Sequence, residues 1–419
     1  MKNWKTVLAG LFIFCLLICA PLAVFAEEDG AQQEEETEEP VPESYDYPIE
    51  SNEIKDWPQG PKIEAASATV LDMDSGTFLY SKNATEKMYP ASITKIMTLL
   101  LTFEALEKGR IKLEDEVSTS AHAKSMGGSQ VFLEEGEVQT VDTMIKCIAV
   151  ASGNDASVAM AEFIAGSEEA FVQMMNEKTA ELGMGNTHFL DCCGLSSDSE
   201  HHTTARDVAI MSRELITRYP QVYQYTKIWM EDIIHVTKQG SKSFTLSSTN
   251  KLLKQYQWAT GLKTGSTSTA KYCLSATANK NGIDLIAVIM GAPDFKVRFS
   301  EARSLLEYGF AKTRLYVDEN KEELAPIQIQ GGKEACVDVK PEGAFRYLDV
   351  TGNDFSQIEK IFVYKERIEA PISAGDQVGS IEYKMQGKNI GSVAIVAAKD
   401  VEKAHYIDYL HRIILWYLL

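Results

Sequence analysis

Positive charge is what this sequence is short of. Its 41 lysines and arginines are outweighed by 60 acids, a net −19 over 419 residues. A chain with no surplus of cations cannot neutralise phosphates, which excludes nucleic acid as a partner. Metal-binding spacing is missing as well. There is no His-Glu-x-x-His, and His201 and His202 stand as a bare pair ahead of a helix, so neither a metal nor another cofactor is expected. Cysteine is sparse. Of seven, Cys15 and Cys19 fall in the first 26 residues, and the other five are an odd number, which excludes a complete disulfide framework. A bridge between the neighbours Cys192 and Cys193 would be strained, and Cys147 and Cys273 lie in apolar runs, so buried, idle thiols are expected.

What is present begins with an address. Residues 1–26 have a short basic start (Lys2, Lys5), an apolar run from Val7 to Phe25 and, at Val24-Phe25-Ala26, small or moderate side chains where cleavage would fall. That pattern predicts a cleaved signal peptide and an exported protein at the outer face of the cytoplasmic membrane or in the cell wall. Residues 27–60 carry thirteen carboxylates against Lys55 alone, together with four prolines. Twelve of the nineteen net negative charges therefore sit in a leader too poor in apolar residues to form a core.

The folded chain is organised around Tyr89-Pro90-Ala91-Ser92-Ile93-Thr94-Lys95-Ile96-Met97. Pro90 suits a helix start, an apolar run follows through Leu106, and Gly109 reads as the stop. Ser92 and Lys95, three apart, share one face of the first turn. A serine becomes a nucleophile when a base takes its proton, and a lysine is that base only when burial or a second cation keeps it neutral. Ser-x-x-Lys recurs at Ser248–Lys251 and Ser268–Lys271, so the motif alone is weak. Ser152-Gly153-Asn154, roughly 60 residues on, and Lys263-Thr264-Gly265, roughly 110 further, make it strong, because the three elements fall in order within one domain-sized stretch.

Around these, residues 65–80 predict a hairpin, and 131–135 an extended segment. Helices are expected over 141–150, 156–164, 168–182 and from Thr204, strands over 262–264, 272–276 and 285–292, and a helix over 299–310. Strands at both ends with helices between them predict an α+β domain, 61–313, whose sheet joins distant segments. From 314 to 402, short alternating runs between Gly-rich turns predict a small all-β sandwich. Residues 403–419 place His405, Asp408, His411 and Arg412 on one side of a helix. Tyr406, Ile407, Leu410, Ile413, Ile414 and Tyr417 lie on the other, predicting an amphipathic helix that anchors at a membrane surface.

From about residue 61 to the end, the chain resembles the low-molecular-mass penicillin-binding proteins of the serine D-alanyl-D-alanine carboxypeptidase family. Besides the triplet, Gly127-Gly128-Ser129-Gln130, Ala151-Ser152-Gly153-Asn154-Asp155-Ala156 and Gly291-Ala292-Pro293-Asp294 carry the resemblance. It implies a β-lactamase/transpeptidase-like catalytic domain, an antiparallel sheet flanked by helices with a helical subdomain. It also implies peptidoglycan stem pentapeptide as substrate and β-lactams as acylating inhibitors. On that basis Ser92 is the nucleophile, Lys95 the base kept neutral with help from Lys263, Ser152 a proton relay and Asn154 an orienting group. Lys263, Thr264, Gly265, Ser266 and Arg298 would hold the substrate, with the N–H groups of Ser92 and Ser266 as oxyanion donors. Cys192-Cys193 departs from the family's usual residues before Gly194-Leu195. Two rivals remain, a β-lactamase and a non-catalytic wall-binding protein. No glutamate lies four residues before an asparagine between Asn154 and Lys263, as a class A β-lactamase would need, and no catalytic residue of the triplet is lost.

Overall fold

Residues 60–237, 240–349 and 352–418 are described by a computed structural model. The expected signal segment and all but the last residue of the acidic leader lie outside the described residues. The predicted hairpin is β1 (Ser67–Asp72) and β2 (Phe78–Lys82), paired antiparallel. Pro90 then precedes a 3-10 turn, Ala91–Thr94, and α1 (Lys95–Glu107) opens at Lys95 itself. Ile96, Met97, Leu99, Leu100, Leu101 and Phe103 are all buried. A helix apolar around most of its circumference belongs in the interior. Gly109, at φ +64°, supplies the left-handed residue just past its end.

The helical cluster between the strands runs through β3 (Glu116–Ser118), α2 (Ala121–Lys124), β4 (Val138–Thr140), α3 (Val141–Ala149), α4 (Asn154–Ala165), α5 (Glu168–Glu181), α6 (Ala205–Arg218) and α7 (Tyr223–Thr226). Thr140, Ser167 and Thr204 cap α3, α5 and α6 by accepting backbone N–H groups. The extended segment expected at 131–135 is not a strand. Phe132 sits at φ +60°, and the Val131 and Leu133 N–H groups donate to the Asp155 carboxylate rather than to a ladder. A hairpin absent from the sequence reading follows, β5 (Met230–Thr237) with β6 (Gly240–Ser247), and then α8 (Leu252–Gln255).

The strands β7 (Ala259–Thr267), β8 (Lys271–Lys280) and β9 (Ile283–Ala292) return to β1, giving the antiparallel order β2-β1-β9-β8-β7. Alternation along β9 feeds two cores. Leu285, Ala287 and Ile289 meet Phe299, Leu305 and Leu306 of α9 (Phe295–Lys312) on one face. Ile286, Val288 and Met290 join α1 and α6 on the other. This places β7 at the sheet edge, with its Gly265 against the serine turn.

Beyond α9 the chain is all-β, as expected: β10 (Arg314–Asp318), β11 (Ile327–Gln328), β12 (Cys336–Val337), β13 (Val339–Pro341), β14 (Phe345–Asp349), β15 (Ile358–Tyr364), β16 (Gln377–Met385) and β17 (Lys388–Ala397). A four-stranded sheet, β13-β17-β16-β15, and the pairs β10-β14 and β11-β12 share a separate core of Val337, Val378, Ile381, Tyr383 and Ile395. The terminal helix α10 spans Tyr406–Leu418, starting three residues later than predicted because Lys403 forms a β-bridge to Gly332. The side chains of Arg412 and Tyr417 lie outside the described residues.

Candidate active site

The serine turn is forced into shape from two sides. Ala91 adopts φ +45°, and Gly194, at φ +87°, lies so close that a Cβ there would sit 1.8 Å from the Ala91 carbonyl oxygen. A Cβ on Gly265 would likewise come within 3.0 Å of the Ile93 nitrogen and the Pro90 oxygen. Two glycines thus let a loop and a strand close on the turn that presents Ser92, which stays half-buried and reachable.

Lys95 is wholly buried, and its Nζ has three neighbours: Ser92 Oγ at 3.0 Å, Asn154 Oδ1 at 2.5 Å and the Cys193 carbonyl at 2.9 Å. Burial pushes its pKa below the ordinary lysine range, against the opposing pull of Cys193, Cys192, Asp191 and Asp155 where these are charged. A neutral amine has two N–H groups and one lone pair. Asn154 Oδ1 and the Cys193 carbonyl can only accept, so they take the two N–H groups. The lone pair is left facing Ser92, whose hydroxyl donates to it. Burial is the leading cause of the lowered value, with Lys263 expected only to help.

Asn154 is fixed on three sides. Its Nδ2 donates to the Gly127 carbonyl at 2.7 Å, its backbone N–H to the Ser129 carbonyl at 2.8 Å, and its Oδ1 accepts from Lys95. Asp155, one residue on, holds the same loop through the Val131 and Leu133 N–H groups, each at 3.1 Å. Ser152 is buried at φ +61°, and its Oγ accepts from Lys263 Nζ at 2.7 Å. Lys263 also donates to the Thr264 carbonyl at 3.0 Å, and the Thr264 and Thr249 hydroxyls are 2.7 Å apart. Ser266 stands exposed farther along β7. Arg298 is buried, its guanidinium over the Tyr272 and Phe299 rings and donating to the Gly265 carbonyl at 3.2 Å. Hydrogen bonds therefore link Ser92, Lys95 and Asn154 in one group and Ser152 and Lys263 in a second, while Arg298 is tied to the backbone of β7.

Four contributors escaped sequence reading: the Cys193 carbonyl, Asp155, Thr249 and His201. The last accepts the Leu190 N–H on Nδ1 at 2.9 Å, which leaves Nε2–H to donate to Thr94 Oγ1 at 3.1 Å. His201 thereby joins the loop carrying Cys193 to the serine turn. The main chain of the adjacent cysteines holds the helix start, the Cys193 carbonyl accepting from Lys95 and the Cys192 carbonyl from Thr98 at 2.6 Å. Glu168, Asp191 and Cys193 bring donor atoms within 4.8 Å of one another. The two carboxylates are engaged otherwise. Asp191 accepts the N–H groups of Cys193, Gly194 and Ser196, and Glu168 accepts from Cys192 and pairs with His122.

Comparison with known proteins shows what the chain is similar to. Residues 54–294 match the family model described as D-alanyl-D-alanine carboxypeptidase, and residues 310–403 that of the penicillin-binding protein 5 C-terminal domain. The D-alanyl-D-alanine carboxypeptidase DacF of Bacillus subtilis is 38% identical over 97% of both chains. The structure of penicillin-binding protein 5 from Haemophilus influenzae is 29% identical. The match covers 83% of this chain and 100% of that one, at a TM-score of 0.64. A Streptococcus pneumoniae peptidoglycan synthesis regulatory factor (PBP3) is also 29% identical over 82% of this chain and 100% of its own, at a TM-score of 0.67.

Proposed function

The chain belongs to the D-alanyl-D-alanine carboxypeptidase family as a serine hydrolase of the penicillin-binding protein type, and on that premise we propose how its residues divide the reaction. Ser92 Oγ attacks the carbonyl between the two terminal D-alanines of a peptidoglycan stem pentapeptide. Lys95 takes the hydroxyl proton on the lone pair that its other two partners leave free. The tetrahedral oxyanion is held by the backbone N–H groups of Ser92 and Ser266, and one such donor is worth roughly 10²–10³ in rate. Ser152, hydrogen-bonded to Lys263, relays a proton to the leaving amine. The last D-alanine departs, and water then releases the shortened peptide from Ser92. Lys263, Thr264, Gly265 and Arg298 hold the terminal carboxylate, with Arg298 positioned through the Gly265 carbonyl. A β-lactam, which presents a strained amide and a carboxylate, acylates the same serine.

The observation that carries this reading is the set of three partners around buried Lys95 Nζ. The test is mass spectrometry after incubation with penicillin and then with a D-alanyl-D-alanine pentapeptide. A lasting adduct on Ser92 and release of one D-alanine are expected. Rapid turnover of penicillin with an untouched peptide would refute the reading in favour of a β-lactamase, and neither event in favour of a binding protein.

We further propose that the protein is exported and held at the membrane surface by α10. Tyr406, Ile407 and Ile413 are 83%, 72% and 58% exposed, apolar side chains left largely uncovered among the described residues. Among the described residues no helix is long and apolar enough to cross a membrane.

A further inference from the structure

The carboxylate proposed to rest on β7 needs hydrogen-bond donors that the protein has not already committed. Lys263 Nζ donates to Ser152 Oγ at 2.7 Å and to the Thr264 carbonyl at 3.0 Å, and Arg298 donates to the Gly265 carbonyl at 3.2 Å. These two cations supply positive charge while holding the protein together. The Thr249 and Thr264 hydroxyls are placed differently. They lie 2.7 Å apart, and among the described residues neither hydroxyl has another hydrogen-bond partner. Two hydroxyls carry two hydrogens, and the bond between them takes one, whichever side donates. One O–H is left over in either arrangement. If Thr249 donates, Thr264 keeps its hydrogen, and the bond it accepts makes it a stronger donor. If Thr264 donates, the roles are exchanged.

The main chain fixes Thr249 where this sharing can occur. It stands two residues past β6 and just ahead of α8. Its N–H donates to the Val150 carbonyl at 3.3 Å, and its carbonyl accepts from the Lys251 N–H at 3.2 Å. Val150 lies two residues before Ser152, so Thr249 bridges the Ser152 loop and β7. Thr264 is buried, whereas Thr249 is half-buried and keeps contact with solvent. We propose that Thr249 is a further substrate-binding residue, which acts with Thr264 as one shared donor and selects molecules that carry a free carboxylate. This rests on the reading that puts the carboxylate at Lys263 and Thr264. An ester of the same group has no charge and weaker acceptor oxygens, so a site made of one O–H and two cations discriminates against it.

The test compares how fast penicillin and its methyl ester, in which the carboxylate alone is blocked, acylate Ser92 of the purified protein, read by intact-protein mass spectrometry. Thr249→Val keeps the shape and the main-chain bond to Val150 and removes the hydroxyl. It should slow acylation by the acid about tenfold and by the ester no more than about twofold. The KM for pentapeptide should rise about tenfold with kcat within about twofold. Thr249→Ser, which restores the hydroxyl, should recover most of both. Thr249→Val combined with Thr264→Val should slow the acid by less than the product of the two single losses, because the hydroxyls act as one donor. Equal slowing of acid and ester by Thr249→Val would reduce the residue to a structural role and overturn the proposal. So would acid acylation that ignores the substitution, or single losses that simply multiply. Thr264→Val separates this proposal from the reading beneath it. If it slows acid and ester alike, no carboxylate is held on β7 and both fall. If it slows the acid selectively while Thr249→Val does not, only the role of Thr249 falls. Wild-type protein that takes up neither compound, or both at one rate, would sink the two together.

Discussion

Lys95 is the residue at which folding and chemistry depend on the loss of the same proton. The unfolded chain keeps a proton on this amine that the buried amine sheds. Between the depressed folded value and the ordinary lysine value the unfolded state therefore binds more protons, and stability rises with pH across that window. Acylation needs the uncharged amine, so kcat/KM also rises as pH climbs through the depressed value. Lys95→Met should abolish the penicilloyl adduct, lower peptide cleavage by about 10⁴-fold, and flatten this part of the stability–pH curve, as urea titrations at several pH values would read. Gly194 is the other sensitive position. A methyl group 1.8 Å from the Ala91 oxygen must displace either the loop or the serine turn. Gly194→Ala should cost about 2 kcal/mol of stability and, through a displaced Ser92, about 10²-fold in acylation rate measured with a chromogenic β-lactam.

At the scale of elements, α4 does its work through its first two residues. Asn154 reaches Lys95 while Asp155 grips the loop that in turn accepts from Asn154. Asp155→Ala would leave the buried Val131 and Leu133 N–H groups unpaired, a loss of about 2–4 kcal/mol readable by denaturant unfolding, with kcat falling as Asn154 loosens. The helices and sheet strands of this region were legible because each carries a period that shows in one dimension: α1 through its apolar run, β9 through its continuous buried stretch. The 131–135 segment misled because Val131, Phe132 and Leu133 read like the apolar run of a strand while the N–H groups of Val131 and Leu133 are claimed by a carboxylate more than twenty residues away. The β5–β6 hairpin escaped because its outer face carries Ile234 and Val236 at 60% and 59% exposure, which blurs the alternation. Side chains named by motif came together as expected. The Cys193 carbonyl was invisible, because every residue has a carbonyl and only the fold decides which one a lysine meets.

At the scale of the molecule, the β-rich part has its own core and carries α10 beyond it. Removing residues 406–419 should leave hydrolysis of a soluble pentapeptide unchanged and abolish sedimentation with phospholipid vesicles. The full helix with Ile407→Asp and Ile413→Asp should behave like the deletion. Unchanged vesicle binding in either chain would rule the helix out as the anchor.

Among the described residues Cys147, Cys192, Cys193 and Cys273 are buried, and Cys336 is exposed. Burial also raises the pKa of the Cys192 thiol and pushes that of Cys273 up to about 11, so neither ionises readily at neutral pH. An alkylating reagent should therefore label Cys336 at once and wait on rare opening events for the rest. Cys193 is labelled only when the loop whose carbonyl holds Lys95 swings out, so its modification rate is a clock for disassembly of the catalytic centre. The same clock, run on the penicilloyl enzyme, should tick more slowly if the bound acyl group braces the loop.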